Sequence, residues 1–96
     1  MRLFTHVPDS VRQSVADRRR IVIRRADGND LAALETLAAL TDRALPHFPV
    51  LLAEADGALV AALSRLTGDV ITDPFVATDD VVALLRLRSA QLDAAA

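Results

Sequence analysis

The sequence predicts an α+β fold, in which a mostly antiparallel sheet of about four strands is flanked by helices. Two apolar runs are joined by Asp56-Gly57, and this pair predicts a tight hairpin because both turn positions need a positive φ. Apolar residues recur at helical spacing before this hairpin, in residues 27–41, and after it, in residues 78–93. The predicted order is β-α-(α)-β-β-β-α, where the parentheses mark a short second helical turn.

The first strand is predicted at residues 20–25, which read RIVIRR. Ile21 and Ile23 point to one face of the sheet, whereas Val22 and Arg24 point to the other. The β-branched residues of this segment favour a strand over a helix.

The first helix is predicted over residues 27–41, because Asp27 is a good N-cap and Asp30 brings negative charge to the first turn. The pattern predicts burial on more than one side of this helix. Its apolar positions are Leu31, Leu34, Leu37, Ala38 and Leu40.

Residues 42–49 are predicted to be a connector, because Pro46 and Pro49 cannot lie inside a helix. We expect a short helical turn at residues 43–45. We also expect Phe48 to anchor the connector to the core.

The hairpin is predicted to extend into a three-stranded meander. Both faces of its strands are apolar near the middle, which predicts that helices cover each face. In the return strand, Leu59, Ala61 and Leu63 are expected to share one face. The third strand, Val70 to Thr72, ends at Asp73-Pro74, because Pro cannot donate to a strand ladder.

The last helix is predicted over residues 78–93. Thr78 is the expected N-cap, and the two acids that follow it suit the first turn of a helix. Its buried side is predicted to comprise Val81, Val82, Leu84, Leu85 and Leu92.

With 96 residues, of which 52% are apolar, the chain can build one small core. The absence of Cys excludes disulfides, a thiolate nucleophile and a Cys-ligated zinc site. The sequence has neither a signal peptide pattern nor an apolar run of about 20 residues, so we expect a cytoplasmic protein with no membrane partner.

Charge divides the chain into a basic arm, residues 1–19, and a domain, residues 20–96. Residues 1–25 contain seven Arg and two Asp, whereas the rest contains four Arg and eleven acids. We expect the arm to be mobile, or to lie against the acidic body of its own chain. Nucleic-acid binding through DRRRIVIRR is an alternative, disfavoured because no aromatic residues are interleaved for base stacking.

The order of elements and the residues at their joints resemble the N-terminal half of the GCN5-related N-acetyltransferase (GNAT) family. RIVIRRADGNDLAALETLA is similar to the family's first strand and first helix, and VLLAEADGALVAAL to its central hairpin. VITDPFVATDDVVALLRLRSAQ is similar to its fourth strand and third helix. The resemblance spans residues 20–92 and implies a GNAT-like domain that is truncated after the third helix.

The resemblance also locates the turn at which the family binds the pyrophosphate of acetyl-CoA. The family has Gln/Arg-x-x-Gly-x-Gly/Ala there, with glycines that let backbone N–H groups approach a phosphate. Like charges about 4 Å apart repel by roughly 4 kcal/mol at a protein surface, so two acids in this turn oppose a polyanion. We therefore expect no cofactor, and acetyl-CoA only if the chain is an enzyme. The corresponding residues, which include no Gly, are Val76, Ala77, Thr78, Asp79 and Asp80.

Glu54, beside the hairpin turn, is the candidate for a general base, and a solvated strand carboxylate is the alternative. The chain has no Tyr to serve as the acid that the family often uses. No pair among His6, His47 and Asp42 has the spacing of a ligand pair on a helix or hairpin, so no metal site is predicted. The sequence leaves open whether the chain is an enzyme.

We expect a non-catalytic GNAT-like domain that acts by association with itself or with a partner. A truncated sheet leaves an open edge and apolar surface, which proteins usually cover. The predicted contact is a homodimer through the edge of Val70 to Thr72 or through the last helix. The alternatives are an acyl-CoA-dependent N-acetyltransferase whose site is completed by dimerisation, and a nucleic-acid binder acting through the Arg-rich arm.

Overall fold

The chain folds into an α+β domain, as predicted, and the computed structural model describes residues 19–95. The sheet is antiparallel, with the strand order β1-β2-β3-β4. Its strands are β1 (Ile21–Arg25), β2 (Val50–Ala55), β3 (Ala58–Ser64) and β4 (Val70–Thr72). A single 3-10 turn (Gly28–Asp30) leads into helix α1 (Leu31–Leu40), and helix α2 (Asp79–Ala95) follows β4.

The two helices cover opposite faces of the sheet, as the apolar residues on both faces predicted. The buried residues of the α1 side are Leu34, Leu37, Ala38, Val50, Leu52, Ala62 and Ile71. Those of the α2 side are Leu51, Ala53, Ala55, Val60, Ala61, Leu63, Val81 and Leu85. Full burial of a Leu or Val side chain contributes about 1.5–3 kcal/mol, so both interfaces stabilise the domain.

The predicted hairpin turn is present at Asp56-Gly57. Both residues have a positive φ, 51° at Asp56 and 87° at Gly57, as a type I′ turn requires. The turn is also tied to the start of β1, because Asp56 donates its backbone N–H to the Arg20 carbonyl and accepts the Arg20 N–H on Oδ1, at 2.8 and 2.9 Å. These bonds align β1 with the hairpin.

A β-bulge interrupts the alternation of β3. Ala53 pairs with Ala61, but the next residue, Glu54, pairs with Leu59, so Val60 is the extra residue. Val60 and Ala61 consequently both pack on the α2 side, whereas Leu59 packs on the α1 side. The expectation that Leu59 shares a face with Ala61 is therefore wrong.

Helix α1 is buried on one side only, whereas burial on more than one side was predicted. Asp27 and Asp30 form a capping box around the 3-10 turn, which confirms Asp27 as the N-cap of this helical segment. Leu31, the first residue of α1, and Leu40 are exposed, which contradicts the prediction of burial on more than one side. At about 100° per residue, Leu40 is turned about 120° away from the fully buried Leu34.

The connector between α1 and β2 contains no helical turn at residues 43–45, contrary to our expectation. Asp42 has a φ of 53°, and the next residue, Arg43, donates its N–H back to the Ala38 carbonyl. This Schellman-type arrangement ends α1 and redirects the chain. The prediction for Phe48 is also wrong, because its side chain is 43% exposed and Pro46 is the buried residue of the connector.

Helix α2 begins directly after Thr78, as predicted, and the Thr78 carbonyl accepts the Val82 N–H at 2.8 Å. Val81 and Leu85 are fully buried. The predicted burial of Leu84 is wrong, because its side chain is exposed. Neither described helix has the length and hydropathy that a membrane span requires.

Candidate functional site

Glu54, the candidate for a general base, lies in an ionic cluster on the α1 side of the sheet. Arg24 forms a bidentate pair with Asp30, with Nη1 to Oδ2 at 2.9 Å and Nη2 to Oδ1 at 2.6 Å. Arg24 Nη2 also donates to Glu54 Oε2 at 3.4 Å. The cluster forms because Arg24 and Glu54 project from neighbouring strands towards the start of α1.

The cluster changes the acidity of its members. Hydrogen bonds from Arg24 first, and from the Asp27 backbone N–H second, lower the pKa of Asp30 from its ordinary 3.8 to about 2. Hydrogen bonds to Asp30 and to Glu54 raise the pKa of Arg24 above its ordinary range. The Asp30 carboxylate and the Arg24 guanidinium are therefore held in their charged forms at neutral pH.

This geometry favours a structural role for Glu54 over general-base catalysis. Its carboxylate is bound to a guanidinium, and it lines neither of the two cavities described below. A general base must reach a proton on a substrate. The arrangement instead ties β1, β2 and the 3-10 turn together.

The turn corresponding to the family's pyrophosphate site is occupied by contacts within the chain. Arg19 Nη1 donates to the Ala77 carbonyl at 2.9 Å, and its Nη2 binds both carboxylate oxygens of Asp80, at 2.9 and 3.1 Å. Asp80 Oδ1 also accepts the Val81 backbone N–H at 2.9 Å. Arg19 thus offsets the charge of one of the two acids expected to repel a polyanion, while Asp79 stays exposed.

The last residue of the predicted basic arm, Arg19, forms an ion pair with Asp80 of the domain. The rest of the arm, residues 1–18, lies outside the described residues, as does His6. Of the arginines in β1, Arg24 is paired, whereas Arg25 forms no ion pair with any residue between 19 and 95.

No cluster of three potential metal ligands occurs within residues 19–95. His47 is an exposed residue of the connector, and its backbone carbonyl accepts a hydrogen bond from the hydroxyl of Ser64 at 2.6 Å. Ser64 is fully buried, and its Oγ also accepts the N–H groups of Leu66 and Thr67, both at 3.2 Å. This hydroxyl therefore organises the β3–β4 loop and the connector.

The sequence reasoning missed two cavities at the end of the sheet opposite the hairpin turn. The first, which we call the Arg25 cavity, has a volume of about 300 Å³. It is lined by Arg25, Ala26, Phe48, Pro49, Val50 and Arg65. The second, the Arg86 cavity, has a volume of about 260 Å³. It is lined by Leu63, Ser64, Arg65, Gly68, Arg86, Ser89, Ala90 and Asp93.

Arg65 lines both cavities, and both its backbone and its side chain are bound within the domain. Its backbone N–H donates to the Pro49 carbonyl at 2.8 Å, which fixes the end of β3 beside the start of β2. Its Nε donates to Ser89 Oγ at 3.3 Å, and its Nη2 forms an ion pair with Asp93. These contacts attach the second half of α2 to the sheet.

One sequence signal pointed to the Arg25 cavity. Arg25 is two residues beyond Ile23 in β1, so alternation places both side chains on the same face of the sheet. A charged residue on this otherwise apolar face indicates that its guanidinium has a particular role. The other wall could not be predicted, because Arg65 follows the bulge in β3 and Phe48 was expected to be buried.

Comparison of this chain with known protein families, with curated proteins and with solved structures found no significant match. The GNAT resemblance therefore stays a prediction from the residues quoted above.

Proposed function

We propose that this chain is a non-catalytic domain, similar in fold to the N-terminal half of GNAT enzymes, and that it acts by association. In this proposal two copies form a homodimer through the outer surface of α2. The observation that carries the proposal is the exposure of Leu87 on that surface, at 54%, with Leu84 beside it on the flank of α2 at 43%.

The outer surface of α2 has the spacing of a helix-packing seam. Ala83, Leu87, Ala90 and Ala94 are separated by four, three and four residues, which is the spacing of alternating a and d positions. Small residues on both sides of Leu87 would let two helices approach closely. At about 100° per residue the seam lies opposite the buried Val81 and Leu85, and its residue Ala90 also borders the Arg86 cavity.

A second copy of this chain fits the seam better than an unrelated partner. Leu87 is the middle residue of α2, so two antiparallel α2 helices related by a twofold axis would place it against itself. Antiparallel packing also opposes the two helix dipoles. A contact through one helix pair is smaller than a standard interface, so we expect dissociation in roughly the micromolar range or weaker.

The edge of β4 is the less favourable route. The backbone N–H of Asp73 donates to the Val60 carbonyl, and the backbone N–H of Ser64 donates to the Asp69 carbonyl. Because residues of a strand alternate in the direction of their backbone N–H and C=O groups, only Val70 and Thr72 direct these groups away from β3. A strand this short offers few bonds to a second copy.

The proposal includes no acyl-CoA cofactor and no transferase activity. The turn at residues 76–80 has no Gly, and Ala77 and Asp80 already bind Arg19. Titration calorimetry with acetyl-CoA is expected to give no binding heat at micromolar protein. Binding in the micromolar range would overturn the non-catalytic part and favour the acyltransferase alternative.

Light scattering over a concentration series tests the association directly. The wild-type chain is expected to approach the dimer mass at high micromolar concentration, and Leu87→Glu is expected to stay monomeric. Leu66→Glu is the matched control, because Leu66 is an exposed leucine in the β3–β4 loop, away from the seam. A wild-type monomer at every concentration, or equal loss in both variants, would contradict the proposal.

A further inference from the structure

The Arg25 cavity combines an apolar floor with cationic walls. Phe48, Pro49 and Val50 are the larger apolar residues of its lining, and Arg25 and Arg65 are the charged ones. Phe48 is exposed although it is a large aromatic side chain, so its ring is available to a bound molecule. Cavities that bind small molecules typically have this composition of apolar walls and few polar groups.

The charge of the lining residues can balance one negative charge on a ligand. Arg65 is offset by its ion pair with Asp93, whereas Arg25 has no ion pair among residues 19–95. One uncompensated guanidinium therefore remains at the wall. A guanidinium can bind a carboxylate through two parallel hydrogen bonds, and such charge-assisted bonds are roughly twice as strong as bonds between neutral groups.

The size of the cavity limits the ligand. A volume of about 300 Å³ corresponds to about ten water molecules, taking about 30 Å³ for each in the liquid. The apolar floor disfavours a doubly charged phosphate, whose hydration would be lost without a second free cation.

We propose that the Arg25 cavity binds a small monocarboxylate with an aromatic or aliphatic body of about ten non-hydrogen atoms. Arg25 holds the carboxylate, and Phe48 and Pro49 contact the apolar body. This site is separate from the α2 seam, so the inference does not depend on self-association.

The test is a titration of the isotopically labelled full-length chain with benzoate, followed by NMR chemical shifts. Benzamide, which is neutral and of nearly the same shape, is the control ligand. We expect saturable shifts at the amides of Ala26, Val50 and Arg65 with benzoate, and much weaker binding of benzamide. Hexanoate tests whether an aliphatic body also binds.

Two variants assign the binding to Arg25. Arg25→Ala is expected to weaken benzoate binding about tenfold, the effect of losing one charge-assisted contact. Arg20→Ala removes the same charge beside the hairpin turn, at the other end of the sheet, and is expected to leave binding unchanged. Absence of saturable shifts with benzoate, equal binding of benzamide, or equal weakening by the two variants would overturn the proposal.

Discussion

The α1 side and the α2 side of the sheet differ in what their polar and exposed groups contact. On the α1 side, Arg24 binds both Asp30 and Glu54, and the Asp30 side chain is only 11% exposed. Arg25, whose side chain leaves β1 on the opposite face, lines a cavity at the end of the sheet and has no ion pair among the described residues. The outer surface of α2 adds exposed leucines. The α1 side gathers its charges into one cluster, whereas the outer surface of α2 presents exposed leucines, and Arg25 has no ion pair within residues 19–95.

The comparison can be tested on two adjacent residues. Arg24 and Arg25 follow each other in β1, and the pleat of the strand sends their side chains to opposite faces. They have the same chemistry, so any difference in the effect of replacing them comes from their surroundings.

The largest expected effect is that of Arg24→Ala on stability. The substitution removes four hydrogen bonds, three of them to carboxylates, and leaves the buried Asp30 carboxylate without its cation. We expect the Tm in thermal unfolding to fall by roughly 10 °C. Arg25→Ala is the matched control and is expected to change the Tm by less than about 2 °C. Similar losses in the two variants would contradict the division between the two sides.

Ser64→Ala is expected to have the next largest effect. Its buried hydroxyl makes three hydrogen bonds, to the His47 carbonyl and to two N–H groups of the β3–β4 loop. Loss of these bonds should destabilise the domain by about 1–2 kcal/mol, or roughly 5–10 °C in Tm. Ser89→Ala, which removes a half-buried hydroxyl with one bond at 3.3 Å, is the control and should cost clearly less.

Acid should remove the stabilisation that the Asp30 carboxylate gives to the α1 side. The pKa of Asp30 is about 2 in the folded chain and ordinarily 3.8, so the unfolded chain binds more protons between these values. The stabilisation from Asp30 is therefore complete above about pH 4 and is lost as the pH falls towards 2. Urea unfolding at pH 5, 4, 3 and 2 should show a smaller loss in Arg24→Ala than in the wild type, and an equal loss would contradict this assignment.

The sequence predicted the sheet well because its signals are local. Asp56-Gly57 determined the hairpin, alternation placed Arg24 opposite Ile23, and Pro74 marked the end of β4. The errors came from features that depend on distant partners. No residue type in β3 indicates the bulge at Val60. The exposure of Leu40 and Phe48 depends on how far the neighbouring elements extend, which the local sequence does not give.

The candidate sites were harder to predict for the same reason. The pairing of Glu54 with Arg24 joins residues thirty positions apart, and the Arg25 cavity brings Arg65 next to Phe48 only through the bond between Arg65 and Pro49. Sequence spacing does not encode such contacts. It therefore predicts neither the pairing of Glu54 with Arg24 nor the cavity between Phe48 and Arg65.

The most direct test of the division between the two sides is a measurement of contacts between copies. A mixture of isotopically labelled and unlabelled wild-type chains at high micromolar concentration, examined by isotope-filtered NOE spectroscopy, reports only contacts between different copies. We predict such contacts between the methyl groups of Leu87 in one copy and those of Leu87 and Ala83 in the other. Contacts that involve only α1 or β4, or a complete absence of contacts in a sample that sediments as a dimer, would contradict the assignment of association to the α2 side.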